Sequence, residues 1–105
     1  MKFEITVDLT QTICLWKGGK YKFTFNVLRT YPFDAPNCHC DTPIYHPNID
    51  FEGTVDLTIL RSDWKPWLSL NDLILGLVSL FIEPNPFDPL NHEAGKLMIS
   101  NYSSF

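Results

Sequence analysis

The chain has 105 residues, of which 45% are hydrophobic, and its 8 Lys and Arg against 12 Asp and Glu give a net charge of -4. Such a chain is expected to fold as one domain with a single core, spanning residues 1–105. The acidic balance, without a basic cluster, argues against binding to nucleic acid. The longest apolar run, residues 73–82, is too short to cross a bilayer, so no membrane association is expected.

The three cysteines, Cys14, Cys38 and Cys40, are an odd set. This argues against a disulfide framework and favours the cytoplasm or the nucleus. On a strand, Cys38 and Cys40 would face one side while His39 faces the other, and the chain has no C-x-x-C pair. We therefore expect core or half-buried thiols, and neither a metal nor another cofactor.

The first half of the chain predicts strands. Residues 2–10 and 21–27 alternate apolar and polar side chains, and the Gly18-Gly19 pair between them suits a tight turn. Two such strands indicate an antiparallel meander with one wet face. Prolines then interrupt residues 31–47, and the remaining candidates for a third and a fourth strand are residues 37–42 and 55–60.

The second half predicts two helices. Ser69 can cap the first, with Asp72 three residues later in an arrangement close to a capping box. Its apolar stripe consists of Leu70, Leu73, Ile74, Leu77, Val78 and Phe81. Prolines from position 84 stop it, and a second helix starts near Asn91 with Ala94, Leu97 and Met98 on one face. Strands followed by helices indicate an α+β domain, in which the first helix packs centrally on a four-stranded sheet.

Five motifs resemble the ubiquitin-conjugating enzymes in order, spacing and wording. They are YPFDAP (31–36), IYHPNID (44–50), EGTVDLTIL (52–60), DWKPWLSL (63–70) and EPNPFDPLNHEA (83–94). The resemblance covers nearly the whole chain and implies the UBC-like fold, with its antiparallel meander, central helix and C-terminal helix. The runs ILRSDWKP and FIEPNP look most like the neddylation branch, which charges a ubiquitin-like protein for transfer to cullins.

The resemblance also locates the family's reactive position. Members of the family carry a segment of the form G-x-V-C-L-x-I-L, whose cysteine accepts the modifier's C-terminus as a thioester. The matching residues here are 53–60, with Asp56 at the position of the cysteine. A carboxylate is a weaker nucleophile than a thiolate, and its acyl product would be an anhydride prone to hydrolysis. The resemblance thus implies no carrier activity, and Asp56 is expected to be a solvated loop carboxylate without a partner.

Other family positions are matched around Asp56. Asn48 stands at the asparagine credited with supporting the active-site loop, although the tripeptide HPN is equally explained as a plain turn. Asp88 stands at an acidic position near the acceptor lysine, or it pairs with turn amides. Family members begin with a helix on which the activating enzyme docks, whereas this sequence starts with a predicted strand. If the sequence is complete, both the reactive cysteine and that helix are absent. If it is shortened, only Asp56 indicates a loss of activity.

The ligase-facing loops of the family match Phe33 and the run Lys65-Pro66-Trp67. A proline-tethered tryptophan at a loop tip is a rigid aromatic of the kind that anchors interfaces, so Trp67 is expected at the surface and Trp64 in the core. Our interpretation is a catalytically inactive variant of the family. It would act as a binding module whose partners are ubiquitin or a ubiquitin-like protein, a ligase or other conjugation-pathway proteins.

Two alternatives remain open. In the first, Asp56 is an engineered or sporadic replacement in an otherwise active carrier, or the chain is a shortened form of one. In the second, the chain is a structural interaction domain with no tie to modifier transfer.

Overall fold

The computed structural model describes residues 1–10, 16–61, 63–87 and 89–100. Within these ranges the elements are β1 (Lys2–Asp8), β2 (Lys20–Asn26), β3 (Asn37–Cys40), α1 (Leu70–Ile82) and α2 (His92–Ser100). A short 3-10 turn, Thr58–Leu60, lies between β3 and α1. The strands form an antiparallel sheet in the order β1-β2-β3, so the predicted α+β class is confirmed. In the described parts of the chain, no helix is long and apolar enough to cross a membrane.

The alternating pattern of the first two strands sets the register of the sheet. Ile5 on β1 pairs with Phe23 on β2, and Phe23 in turn pairs with Cys40 on β3, so the apolar side chains share one face. Phe23 is fully buried, whereas the polar residues between the apolar positions point outward. Gly18, with φ of 92°, lies in the turn from Trp16 to Gly19 that leads into β2.

The fourth predicted strand, residues 55–60, does not form. Only isolated bridges are present near it, between His39 and Thr54 and between Ile49 and Val55. Beyond them the amide of Asp56 donates to the carbonyl of Asn48 at 2.9 Å, and the chain then winds into the 3-10 turn. The described sheet therefore has three strands, because the backbone of this segment bonds to the turn before it and not to β3.

Helix α1 begins with the predicted capping box. The hydroxyl of Ser69 accepts from the amide of Asp72, and the Asp72 carboxylate accepts from the amide of Ser69 at 2.8 Å. The buried face is narrower than the predicted stripe and consists of Leu73, Leu77, Leu80 and Phe81. Leu70, Ile74 and Val78 are exposed, which corrects the sequence prediction. The orientation of α1 on the sheet selects Leu80 instead of these residues.

Helix α2 starts close to the predicted position. The side-chain oxygen of Asn91 accepts from the amide of Ala94 at 3.0 Å and so caps the helix. Ala94, Gly95 and Met98 are buried, and Leu97 is half-buried. The helix therefore packs through the face that its sequence indicates.

Candidate active-site cleft

A cleft of about 290 Å³ opens between residues 56–61, Asp63, the second half of α1 and the loop that follows it. Its polar lining consists of Asn48, Asp56, Thr58, Arg61, Asp63, Ser79, Glu83 and Asn85. The fold thus brings together two of the predicted site residues, Asp56 and Asn48. The third, Asp88, lies outside the described residues.

Asp56 is held by an ion pair at the wall of this cleft. Its Oδ1 lies 2.5 Å from Nε of Arg61, and its side chain is 15% exposed while that of Arg61 is 56% exposed. The prediction of a solvated carboxylate without a partner is therefore wrong. The 3-10 turn explains the difference, because it folds residue 61 back towards residue 56, whereas an extended strand would carry the two about 17 Å apart.

The side chain of Asn48 joins two loops. Its Oδ1 accepts from the amide of Asn85 at 2.9 Å, and its Nδ2 donates to the carbonyl of Asn85 at 2.9 Å. The side-chain amide therefore pairs with a backbone peptide group as a neighbouring strand would. The backbone carbonyl of Asn48 also accepts from the amide of Asp56. These bonds tie the HPN turn to both sides of the cleft. Such contacts agree with a loop-supporting role.

His46 is a structural residue that the sequence did not single out. Its Nδ1 accepts from the amide of Asn48 at 2.9 Å, so the ring proton is on Nε2, which donates to the carbonyl of Leu80 at 2.7 Å. The ring is fully buried and stacks on Trp16 with 4.3 Å between centroids. Burial lowers the pKa of His46 to about 4, because the charged form would lose its hydration. The HPN tripeptide is thus more than a turn, since a neutral His46 fastens it to α1.

The thiols that the structure describes are poor nucleophiles. Cys38 and Cys40 are buried on the inner face of β3, and His39 points outward, as predicted. Burial raises the pKa of Cys38 to about 12 and also raises the pKa of Cys40. A thiol with a raised pKa stays protonated near neutral pH and does not attack an acyl group. Cys14 lies outside the described residues.

The predicted partner-binding residues are all at the surface. Phe33 is 80% exposed and Trp67 is 78% exposed, and Lys65 and Pro66 are also exposed. Trp64, in contrast, is partly buried, and its indole Nε1 donates to the carbonyl of Pro32 at 3.0 Å. Because Pro32 precedes Phe33, this bond brings the two predicted loops into contact.

Comparison with known proteins shows which family this chain matches. The family model described as ubiquitin-conjugating enzyme matches residues 1–105. The NEDD8-conjugating enzyme Ubc12 of Dictyostelium discoideum is 52% identical over 102 residues, which are 97% of this chain and 44% of that protein. The NEDD8-conjugating enzyme UBC12 of Yarrowia lipolytica is 47% identical over 105 residues, which are 100% of this chain and 58% of that protein.

Solved structures agree with the sequence relatives. S. cerevisiae Ubc12 superimposes with a TM-score of 0.88 at 42% identity, covering 95% of this chain and 53% of the other. The E2 domain of a Toxoplasma gondii ubiquitin conjugating enzyme superimposes with a TM-score of 0.87 at 27% identity, covering 96% and 71%. This chain spans about half the length of the curated relatives it matches. On these similarities and on its UBC fold, the chain belongs to the ubiquitin-conjugating enzyme family.

Proposed function

We propose that this protein is a catalytically inactive variant of the ubiquitin-conjugating enzymes, acting as a binding module in the conjugation of a ubiquitin-like protein. Neddylation is the proposed pathway, because the relatives described above are NEDD8-conjugating enzymes by name. The expected compartments, the cytoplasm and the nucleus, belong to the same proposal and depend on the cysteine content.

The ion pair between Asp56 and Arg61 carries the proposal. Position 56 is where the resemblance places the reactive cysteine, and the carboxylate there is directed at a guanidinium 2.5 Å away. A carboxylate paired with a guanidinium is an even weaker nucleophile than a free carboxylate, because its attack on an acyl carbon would first have to break the charge-assisted hydrogen bond. The buried thiols Cys38 and Cys40 offer no substitute.

The binding role is supported by the exposed aromatics. Phe33 and Trp67 leave most of their apolar surface in water, and the bond from Trp64 to Pro32 joins the loops that carry them. Large, rigid aromatic side chains of this kind are enriched at the centres of protein interfaces. The proposed partners are a ubiquitin-like protein, a ligase or another protein of the conjugation pathway.

A charging assay tests the inactivity. With NEDD8 or ubiquitin, the matching activating enzyme and ATP, the protein should form no adduct that a thiol reagent reverses, while S. cerevisiae Ubc12 should form one in the same assay. Asp56→Cys is the informative variant. Rapid thioester formation by this variant, followed by discharge to lysine, would favour an active carrier in which one residue is replaced.

A binding assay tests the other half of the proposal. Trp67→Ala and Phe33→Ala should weaken capture of pathway proteins without lowering the melting temperature. Phe51→Ala is the matched control, because Phe51 is also an exposed aromatic, at 74%, but lies outside the two loops. If wild-type protein captures no modifier, activating enzyme or ligase subunit, the structural-domain alternative is preferred.

A further inference from the structure

His39 lies on the outer face of β3 between two hydrogen-bond acceptors. Its Nδ1 is 2.7 Å from Oδ1 of Asp41, and its Nε2 is 2.7 Å from the carbonyl oxygen of Glu52. An ionised carboxylate and a peptide carbonyl can only accept. A neutral imidazole has a single N–H and serves one of them, whereas the imidazolium serves both.

The groups around the ring favour the charged form. The hydroxyl of Thr24 on β2 donates to the other oxygen of Asp41, and this bond, followed by the one from His39, lowers the pKa of Asp41. The pKa of His39 is raised, first by the bond with Asp41 and then by the bond with the carbonyl of Glu52. Asp50, in the turn, raises it further through its charge.

Two cations lie near this network among the described residues: Arg61, which lines one surface depression with His39 but is paired with Asp56, and Lys22. Lys22 on β2 acts on Asp41 through its charge, but its ammonium group is 3.0 Å from the carboxylate of Glu4. The groups that face His39 from β2, from β3 and from the turn are therefore mainly acceptors and acids. This surrounding fits an imidazolium better than a neutral ring.

The second bond of His39 holds the turn 50–53. Gly53 has φ of 94° there, its amide donates to the carbonyl of Asp50 at 3.0 Å, and its carbonyl accepts from the amide of Cys40 at 2.8 Å. A Cβ at Gly53 would lie 2.5 Å from Nε2 of His39, so the ring packs directly on the turn. From this turn the backbone runs to Asp56.

We propose that His39 is a proton-dependent latch. In its charged form it donates to both Asp41 and the carbonyl of Glu52, and the second of these bonds fastens the turn 50–53 to β3. On losing a proton it keeps its bond to the charged carboxylate, gives up the one to Glu52 and loosens the backbone that leads to Asp56. A histidine whose pKa is raised in the folded protein contributes its full stabilisation when the pH is below its unperturbed pKa. The latch is therefore complete below about pH 6.5. It is released as the pH rises through the higher value of the folded protein.

NMR titration of the imidazole and amide signals between about pH 5 and pH 9 tests this proposal. The His39 ring should titrate with a midpoint above that of an unperturbed histidine, and the amides of Gly53 and Thr54 should shift with the same midpoint. Asp41→Asn should lower the midpoint of the ring, because it removes the charged acceptor.

Two variants at position 39 complete the design. His39→Gln identifies the ring signal by its disappearance and should abolish the titration of the turn amides. His39→Lys removes the ring but keeps a positive charge over the same range, so its turn amides should not titrate there. An ordinary or lowered ring midpoint, or turn amides that titrate in His39→Gln as they do in the wild type, would overturn the latch. Amides on α1 report whether each variant is folded.

Discussion

The energy that couples Asp56 to Arg61 can be measured with a double-mutant cycle. Asp56→Asn and Arg61→Gln each remove a charge but keep a polar side chain of similar size, and the double variant supplies the fourth corner. Two unit charges 4 Å apart interact by about 1 kcal/mol in water and about 4 kcal/mol at an effective dielectric constant near 20. Because Arg61 is 56% exposed, the value should lie near the lower limit, and we expect a coupling of about 1 kcal/mol.

Urea denaturation is the appropriate measurement, since a small single domain usually unfolds in one cooperative transition. The coupling should shrink at high salt, because the exposed guanidinium is screened. Glu4 and Lys22 provide a matched control: their charged groups are 3.0 Å apart, but both side chains are about half exposed, at 58% and 48%. Their cycle should give a coupling clearly smaller than that of Asp56 and Arg61, because solvent screens both charges.

Equal couplings in the two cycles would refute this reasoning. Asp56 would then behave as the solvated carboxylate that the sequence alone suggests. Arg61 would then not restrain the carboxylate, and the expected inactivity would depend only on the identity of residue 56.

Two further predictions concern stability. Leu77→Ala removes a fully buried side chain of α1 and should lower the free energy of unfolding, measured with urea, by about 3 kcal/mol or more. Ile74→Ala, at a position 36% exposed on the same helix, should lower it much less, and similar losses would contradict the assigned helix face. His46 has a pKa lowered to about 4, so it contributes stability that is fully present above about pH 6.5 and is lost as the pH falls. Wild-type protein should lose about 3 kcal/mol through this group on the way to pH 4, and His46→Gln should flatten that part of the profile; an unchanged slope would contradict the buried neutral ring.

Local patterns in the sequence are sufficient where the structure depends on neighbours along the chain. The alternation of β1 and the reciprocal bonds of Ser69 and Asp72 each involve a few consecutive residues, and both are confirmed. The fourth strand fails for the opposite reason. Its fate depends on which backbone acceptor takes the amide of Asp56, and both candidates, the carbonyl of Asn48 and those of β3, lie outside the pattern of residues 55–60.

The candidate site shows the same division. The motif resemblance is enough to predict that Asp56 and Asn48 belong to one site, and both line the cleft. It does not reveal Arg61, because a separation of five residues matches neither the helical spacing at which charges pair nor the neighbouring positions of a strand. The exposure of Trp67 and the packing of Trp64 are confirmed, whereas the role of Asp88 stays a prediction.

The two hydrogen bonds between Asn48 and Asn85 should make the two positions differ in how well they tolerate substitution. Asn48 contributes its side chain, and only a carboxamide at that reach offers a donor and an acceptor side by side. Asn85 contributes its peptide group, which every amino acid except proline possesses in full. Scanning all twenty residues at both positions should therefore leave a single well-tolerated residue at 48 and a broad spectrum at 85. The two asparagines look alike in the sequence, but the contact between their loops depends on the side chain of Asn48 and on the backbone of Asn85, whose own side-chain oxygen accepts from the amide of Phe87.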